Sequence, residues 1–329
     1  FLHDPARHSM QYDIEADWHL LNTCNYRCGY CFFTADTLGD KLQMHASPQQ
    51  WQSAFDATDF TWLLHMTGGE PSIYPLFAEL CEALTKRHFI SMNSNLSRPL
   101  QSFVERVDPS RVSFINAGFH FEERERRSGN AVFLENARLL QSKGFPLLVS
   151  IVATPSALAR FEEAADILAQ AGIVPIPKIL RGSYNGQRFP EAYTEPDRDR
   201  FRKFAALAQE SYREMLNTSG HPSIDMFGDT QLLYGEPSFT GQLCEAGRRF
   251  VNIGPKGDVI RCGGPTVYGN VLAGTFKRAK RAKPCNTGGC VYFCQKYTSA
   301  PQVRRKPAPD SLNGLRMSSA WPNIPFETA

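Results

Sequence analysis

Three cysteines near the start of the chain have the spacing of iron–sulfur ligands. Cys24, Cys28 and Cys31 form the pattern C-x3-C-x2-C. A 4Fe–4S cluster normally takes four cysteine thiolates, so a cluster held by three keeps one iron open for another ligand. The spacing therefore predicts a reactive metal centre, completed by a bound molecule.

The same three cysteines could instead hold zinc or act as redox thiols. A structural zinc site needs four nitrogen or sulfur ligands, usually in paired spacings. His19 is the nearby histidine that could complete such a site. The cysteine spacing by itself leaves both interpretations open.

A second motif favours the iron–sulfur interpretation. Thr67-Gly68-Gly69-Glu70-Pro71 follows a short apolar run at residues 62–66, and its two glycines let the backbone come close to a ligand. With Tyr30 before the last cysteine, the two motifs resemble the radical S-adenosylmethionine (radical SAM) superfamily. In that family the open iron chelates the methionine of the cofactor, and the GGEP loop contacts its amino group. The resemblance implies cofactor-binding roles for Tyr30, Thr67, Gly68, Gly69 and Glu70.

Residues 12–180 alternate strand-like apolar runs with amphipathic helical stretches, which predicts βα units around a parallel sheet. The predicted strands are residues 13–21, 61–66, 88–93, 111–119, 146–152 and 173–179. Predicted helices include residues 73–86, 130–143 and 157–171. Six units fit the partial (β/α)6 barrel of the radical SAM family, because a complete barrel needs about 250 residues.

Polar residues follow several predicted strands, where a barrel of this kind gathers its ligand chemistry. His120, Glu122 and Glu123 follow the fourth strand, and His120 and Glu122 are predicted to be catalytic. Polar residues of an ordinary loop are the alternative. Further cofactor contacts are predicted near the ends of the third, fifth and sixth strands: Asn93, Ser94, Asn95, Ser150 and Lys178.

A second group of cysteines lies far along the chain: Cys244, Cys262, Cys285, Cys290 and Cys294. Cys262 follows Gly257 as G-x4-C, which together with Cys244 resembles the SPASM/twitch extension of the radical SAM family. Residues 250–253 and 258–261 flank a Gly-Pro-Lys-Gly turn and predict a β-hairpin. The alternative is a structural zinc knot, since thiolate-rich sites suit zinc as readily as iron–sulfur clusters.

The number of cysteines in this second group implies one auxiliary 4Fe–4S cluster. Full SPASM domains carry seven cysteines for two auxiliary clusters, whereas this chain has five, as in the shorter twitch form. The resemblance favours Cys244, Cys262, Cys290 and Cys294 as ligands. Cys285 is then a spare thiol and a candidate catalytic hydrogen donor, although Cys285 and Cys290 could exchange roles.

Changes in composition and periodicity along the sequence divide the chain into four parts. Residues 1–180 are predicted to form the barrel, 181–240 a linker with one helix near residues 200–215, and 241–295 the auxiliary domain. Residues 296–329 are Pro- and Ser-rich without periodicity and are predicted to be a tail. The predicted fold class is α/β, a partial (β/α)6 TIM barrel with a small C-terminal cysteine-rich twitch/SPASM-like domain.

The charge of the chain is uneven, because residues 271–329 hold ten Lys and Arg against two Asp and Glu. The basic run at residues 277–283 could face an acidic partner or an anionic substrate, but a solvated face is the more ordinary reading. We expect no nucleic acid partner. No apolar run reaches the roughly eighteen residues of a membrane span, and no signal-peptide pattern opens the chain, so the sequence predicts a cytoplasmic protein.

The motifs together predict an enzyme that abstracts hydrogen with a 5′-deoxyadenosyl radical. The leading hypothesis is a radical SAM oxidoreductase or epimerase acting on a sugar or aminocyclitol. It rests on the single auxiliary site and on the lack of room before residue 12 for a peptide-binding domain. A peptide or protein maturase of the RiPP or sulfatase type is the alternative. A zinc-binding interaction module is the non-enzyme alternative, but it leaves the GGEP loop unexplained. The resemblance also implies a flavodoxin- or ferredoxin-type electron donor.

Overall fold

The computed structural model describes residues 10–39, 41–212, 230, 232–235, 238–262 and 265–285. Parallel strands in chain order form the centre of its main sheet. They are β1 (Ile14–Leu21), β2 (Trp62–Gly68), β3 (Phe89–Ser94), β4 (Val112–Gly118), β5 (Leu147–Val152) and β6 (Ile176–Lys178). Because β6 is an edge of the sheet, these strands form an open, partial barrel.

Helices connect the successive strands, and a longer one follows β6. They are α1 (Ala35–Leu38), α2 (Pro48–Asp56), α3 (Phe77–Thr85), α4 (Gln101–Arg106), α5 (Phe121–Arg127), α6 (Asn130–Ser142), α7 (Pro155–Ala159), α8 (Phe161–Ala169) and α9 (Glu195–Ser211). Helix α2 begins with a capping box between Ser47 and Gln50, which satisfies orphan backbone donors at its first turn. None of the helices in the described residues is long and apolar enough to cross a membrane.

Strand β1 shows how the sequence separates the two faces of the sheet. Ala16 and Trp18 are completely buried, and the ring of Trp18 lies edge-on to Trp51 of α2 with 4.7 Å between centroids. Because side chains alternate along a strand, Asp17 and His19 point to the opposite face, inside the barrel. The helices therefore cover an apolar outer face, and a polar inner face remains for ligands.

The region of the second cysteine group extends the same sheet. The added strands are β10 (Phe250–Ile253), β11 (Asp258–Ile260) and β12 (Val267–Asn270), whereas β9 (Leu243–Cys244) and β13 (Lys283–Pro284) pair in a separate two-stranded sheet. Strand β10 pairs in parallel with β1, and β11 and β12 follow as antiparallel neighbours. A small separate hairpin is formed by β7 (Gly182–Tyr184) and β8 (Gln187–Phe189). The sheet thus joins the barrel to the second cysteine region.

The predicted hairpin is confirmed, but several predicted element bounds are wrong. The helix predicted at residues 200–215 begins at Glu195, because Thr194 forms a capping box with Asp197. The helix predicted at 73–86 begins at Phe77, after a 3₁₀ turn at Pro71–Ile73. The helix predicted at 157–171 is two helices that meet at Arg160, whose backbone leaves the helical region.

The outer face of β1 generates a prediction about stability. Replacing Trp18 by Ala removes a fully buried ring that packs on Trp51 and Phe55, and we expect it to lower the free energy of unfolding by about 3–5 kcal/mol. Anaerobic urea unfolding followed by circular dichroism measures this. The control is Val132→Ala, at an exposed position of α6, which should change the free energy by less than about 0.5 kcal/mol. Equal losses in both variants would contradict the described core.

Candidate cofactor and substrate site

The N-terminal cysteines lie on the loop that leaves the C-terminal end of β1. Cys31 is exposed, whereas Cys24 and Cys28 are partly buried. Burial raises the pKa of Cys24 to about 11 and that of Cys28 to about 12. Both groups are therefore neutral thiols at pH 7 in the free protein, and binding a metal would have to release their protons.

The GGEP loop packs directly on the end of β1. The Gly69 amide donates to the Leu21 carbonyl at 2.8 Å, and the Glu70 amide donates to the Thr23 carbonyl at 3.0 Å. A Cβ at Gly69 would lie 1.9 Å from the Thr23 carbonyl oxygen, and one at Gly68 would lie 2.1 Å from that of Leu21. The chain's own backbone is thus the close neighbour that requires both glycines, where sequence reasoning assigned them to the approach of a ligand.

Glu70 joins the ends of β2 and β3. Its carboxylate, on a residue only 2% exposed, accepts hydrogen bonds from the Ser72 amide at 3.0 Å, the Ser94 hydroxyl at 2.7 Å and the Asn95 amide at 2.6 Å. A buried carboxylate is tolerated here because these donors replace its water. Glu70 therefore fixes Ser94 and Asn95, both predicted cofactor contacts, relative to the GGEP loop.

The cysteine loop is held from two sides by side chains outside the motif. Asn25 accepts a hydrogen bond from the Asn95 amide group at 2.9 Å and donates to the Ser97 hydroxyl at 2.7 Å. The backbone amide of Arg27 donates to the Glu123 carboxylate at 3.1 Å. The ends of β3 and β4 thus both orient the loop that carries the predicted ligands.

Arg124 is a completely buried cation next to this loop. It donates to the carbonyl of Asn95 and, at 3.2 Å, to that of Gly129. Its guanidinium carbon lies 4.2 Å from the ring centroid of Phe133 and 5.5 Å from that of Tyr26, distances at which cation–π attraction acts. Burial lowers the pKa of Arg124 to about 10, so the group stays charged at neutral pH.

His120, a predicted catalytic residue, contacts the cysteine motif. Its Nδ1 shares a 2.8 Å hydrogen bond with the Tyr30 hydroxyl. Burial lowers the pKa of His120 to about 3, so the imidazole is neutral at physiological pH. The ring has room because residue 118 is Gly: a Cβ there would lie 2.6 Å from His120 Nε2. A direct role of His120 in catalysis stays a prediction.

The two neighbouring carboxylates after β4 point to different partners. Glu122 accepts a hydrogen bond from the Ser156 hydroxyl of α7 at 2.6 Å. Glu123 contacts the cysteine loop, and hydrogen bonds from Arg127 and the Arg27 amide lower its pKa against the opposing effect of burial. Of the two, the structure thus brings Glu123 to the cysteine motif, while Glu122, the one predicted to be catalytic, faces α7.

Three polar side chains form a hydrogen-bonded row across β3, β4 and β5. The Asn116 amide group donates to Asn93 Oδ1 at 2.9 Å, and the Ser150 hydroxyl donates to Asn116 Oδ1 at 2.9 Å. Asn93 and Ser150 are predicted from the sequence, and Asn116 between them is not. Lys178 lies on the neighbouring strand β6 and is partly buried. The structure therefore brings several of the predicted contacts to one side of the sheet.

The second cysteine group is partly described. Cys244, Cys262 and Cys285 lie in one buried cluster with Phe239, Ala246 and Phe250. Cys290 and Cys294 lie outside the described residues. The packing of Cys285 with two other cysteines supports the alternative assignment, in which Cys285 is a cluster ligand and Cys290 is the spare thiol. Both assignments, and the domain bounds at residues 180, 240 and 295, stay predictions.

The thiols of the cysteine loop suit a 4Fe–4S cluster. Among the residues that the structure describes, no three His, Cys, Asp or Glu side chains gather closely enough to hold one metal ion. A 4Fe–4S cluster takes each cysteine on a different iron, so its ligands stand further apart than those of one zinc ion. Free thiols on one anchored loop, with Cys31 exposed, suit that arrangement.

Comparison with protein-family models matches residues 18–168 to the radical SAM superfamily. This span contains the cysteine loop, the GGEP loop and the strand ends that hold them. The matched span, 151 of the 329 residues, is similar to the radical SAM superfamily. The radical SAM family uses a 4Fe–4S cluster and S-adenosylmethionine, and an auxiliary cluster is typical of the SPASM subclass. No curated protein matches the chain.

Solved structures share the fold at low sequence identity. The structure of anSMEcpe with bound AdoMet is 16% identical in sequence and has a TM-score of 0.51; the alignment covers 80% of this chain and 78% of the anSMEcpe chain. SuiB of Streptococcus suis bound to S-adenosylmethionine is 14% identical in sequence and has a TM-score of 0.52; the alignment covers 80% of this chain and 64% of the SuiB chain. BtrN in complex with AdoMet and 2-DOIA is 9% identical, covers 80% of each chain and has a TM-score of 0.40, too low to carry an argument.

Sequence reasoning missed several polar residues that hold the site through their side chains. Asn25, Asn116 and Arg124 are the main examples. Asn25 lies inside the cysteine motif, so its side-chain amide was an available signal. Asn116 lies in a predicted strand, where a polar residue among apolar ones indicates an inward-facing position. Arg124 lies among other charged residues of α5, and nothing in that run marks it as completely buried.

The contact between the GGEP loop and β1 generates a prediction about cluster binding. In Gly69→Ala, the new methyl group must push the loop away from Thr23 and disturb the neighbouring Cys24. We expect cluster affinity to fall about 10- to 100-fold, as for other residues that orient metal ligands. Iron per chain after anaerobic reconstitution and desalting measures the loss.

The matched control is Gly29→Ala in the cysteine loop itself. A Cβ at Gly29 has its nearest neighbour, Tyr184 Cε2, at 3.9 Å, so there is room for it. Gly29→Ala should retain iron as the wild type does. If Gly69→Ala also retained it, the tight backbone contact would be unimportant for the cluster.

A third prediction concerns Glu70. Glu70→Gln keeps the shape but replaces one acceptor oxygen by a donor that faces the Ser72, Ser94 and Asn95 donors. We expect the free energy of unfolding to fall by about 1–3 kcal/mol, with weaker S-adenosylmethionine binding in equilibrium dialysis. Glu135→Gln, at an exposed position of α6, is the control and should change neither quantity. Loss of cofactor binding at unchanged stability would argue instead for a direct contact between Glu70 and the cofactor.

Proposed function

We propose that the chain is a radical SAM oxidoreductase or epimerase that abstracts hydrogen from a polar small molecule, a sugar or an aminocyclitol. The observation that carries the proposal is the position of the anchored cysteine loop, at the strand ends that border a polar inner face. When bound, the cluster and S-adenosylmethionine supply the 5′-deoxyadenosyl radical. The task of the protein is then to position the substrate and exclude competing reactions.

In this proposal the chain's own residues have distinct tasks. Cys24, Cys28 and Cys31 hold the cluster. Glu70 and Asn25 fix the GGEP loop and the cysteine loop relative to the neighbouring strand ends. The remaining predicted contacts line the approach to the cofactor: Tyr30, Thr67, Gly68, Gly69, Asn93, Ser94, Asn95, Ser150 and Lys178. The neutral His120 keeps Tyr30 in place through its 2.8 Å hydrogen bond.

The inner face supports a polyol-type substrate. Asn93, Asn116 and Ser150 form a row whose amide and hydroxyl groups both donate and accept hydrogen bonds. The hydroxyl groups of a sugar do the same, so they can replace members of such a row without leaving a polar group unpaired. A small number of placed polar groups is the usual means of fixing a small ligand's orientation.

A second candidate substrate is a peptide, and the comparisons support it. SuiB was solved bound to the precursor peptide SuiA, with a TM-score of 0.50 to this chain, and anSMEcpe was solved with a bound Cp18Cys peptide at 0.51. At 14% and 16% identity, these similarities concern the fold, which hosts many chemistries. The peptide maturase is therefore kept as the alternative.

The exposed basic side chains after β12 suit an acidic electron donor of the flavodoxin or ferredoxin type. Lys277, Lys280 and Arg281 are exposed. Arg278 is partly buried, since it donates to the Arg248 carbonyl at 2.6 Å and lies 5.1 Å from the Phe60 ring centroid. Arg278 therefore has a structural role, whereas the exposed side chains of the basic run form a surface that attracts negatively charged partners.

The fourth prediction tests the proposed reaction. Anaerobically reconstituted protein, reduced with dithionite, should release 5′-deoxyadenosine faster with a matching substrate from a panel of aminocyclitols, sugars and Cys- or Ser-containing peptides. Liquid chromatography with mass spectrometry measures the nucleoside and the substrate product. Stimulation by peptides alone would overturn the sugar proposal in favour of the maturase, and no 5′-deoxyadenosine under any condition would overturn both.

Iron content provides the control for this assay. Two 4Fe–4S clusters correspond to about eight irons per chain, and the triple variant Cys24→Ala, Cys28→Ala, Cys31→Ala should keep about four, held by the second cysteine group. A wild type with about four irons and bound zinc would show that the second cysteine group holds zinc and no 4Fe–4S cluster, while leaving the radical chemistry of the barrel.

A further inference from the structure

The seam between β10 and β1 places two polar side chains side by side inside the barrel. Asn252 of β10 is in register with Asp17 of β1, so the two share a face of the sheet. The neighbours Trp18, Val251 and Ile253 are fully buried in the main apolar core on the other face. Asp17 and Asn252 therefore project inward, on the same face as His19.

Asp17 is a nearly buried carboxyl group without a strong partner. The residue is 9% exposed, and its one ion-pair contact among the described residues is His19 Nε2 at 3.9 Å, too far for a hydrogen bond. Within the same part of the chain no donor lies within hydrogen-bond distance of its carboxylate. Burial accordingly raises the pKa of Asp17 to about 7.

Asn252 shows the same lack of a donor. The residue is 7% exposed, and its Oδ1 atom is buried without any hydrogen-bond partner among the described residues. Buried acceptors are normally satisfied, so an orphaned one indicates a missing group. The Asp17 carboxylate and the Asn252 amide oxygen therefore lie side by side on the inner face, and the described residues provide neither with a hydrogen-bond donor.

We propose that Asp17 and Asn252 form a substrate-binding subsite for an ammonium group. An ammonium carries three N–H donors and no acceptor, so it can satisfy both oxygens and also neutralise the buried carboxylate. A hydroxyl donor would leave the negative charge unpaired. A metal ion is disfavoured because, among the described residues, no third His, Cys, Asp or Glu completes a ligand set.

This inference rests on the proposed function and narrows it. Of the sugars and aminocyclitols considered there, it selects those with a free amino group, and of peptides those with a lysine or an N-terminal amine. It also gives the second cysteine region a part in substrate recognition, because Asn252 belongs to β10. The amide oxygen of Asn252 would then orient the amine relative to the cofactor end of β1.

The test measures thermal unfolding of the reconstituted holoenzyme without reductant, so that no turnover occurs. The probes are glucosamine hydrochloride and methylammonium chloride, with glucose, methanol and sodium chloride as matched controls. We expect both ammonium probes to raise the Tm of the wild type above the controls, because they bind the folded state. Asp17→Asn should abolish this rise and Asn252→Leu should reduce it, whereas Asp166→Asn, at an exposed position of α8, should retain it.

The variants also separate a binding role from a structural one. If the role of Asp17 is to bind a ligand, the ligand-free Asp17→Asn protein should melt at the wild-type Tm or above it. The substitution removes a buried charge that no other group compensates. A Tm several degrees lower would show a structural role and overturn the proposal. So would ammonium stabilisation that is unchanged in Asp17→Asn, or absent from the wild type.

Failure of the proposed function gives a different pattern. A wild type that cleaves no S-adenosylmethionine under reducing conditions would overturn the radical SAM reaction, yet the Tm shifts would still decide whether an ammonium binds. Conversely, 5′-deoxyadenosine release that depends on an amine-free sugar, together with unshifted Tm values, would keep the reaction and remove the ammonium subsite.

Discussion

The candidate site depends on one close contact, in which the backbone after β2 touches the backbone after β1. No Cβ fits at Gly68 or Gly69, so the two strand ends meet without intervening side chains. This contact fixes where the cysteine loop leaves β1. The Glu70 carboxylate then extends the arrangement to β3, and Asn25 and Arg124 connect the loop to β3 and β4. The predicted ligands are held by a network that runs across several strands.

Much of this could be predicted from the sequence, because the strongest signals are local. The strands of the barrel are short apolar runs bounded by polar turns, and the cysteine and GGEP motifs follow two of them. Periodicity placed the strands well and the helix ends less well. The start of α9 depends on a capping box at Thr194, a signal that lies outside the apolar pattern of the helix itself.

The rest could not be predicted, because it depends on contacts between distant parts of the chain. Glu123 and Arg124 are both buried although they lie in a charged run, and Glu123 accepts a hydrogen bond from the cysteine loop. Their surroundings decide this, and those come from β3, α6 and the loop after β1. In the same way, the sequence around Phe250–Ile253 predicts a hairpin but contains nothing to show that β10 pairs with β1. That pairing alone places Asn252 beside Asp17.

The parallel pairing of β10 with β1 has a consequence for how the chain folds during synthesis. More than 200 residues separate the two strands, so β1 leaves the ribosome long before its second neighbour exists. Until then β1 is an edge strand with unpaired backbone groups, and such long-range pairings form slowly. The barrel cannot complete its sheet as a nascent domain, and a chaperone or the cluster-assembly machinery would meet it in this open form. A chain cut before β10 would keep that exposed edge permanently and would be prone to associate through it.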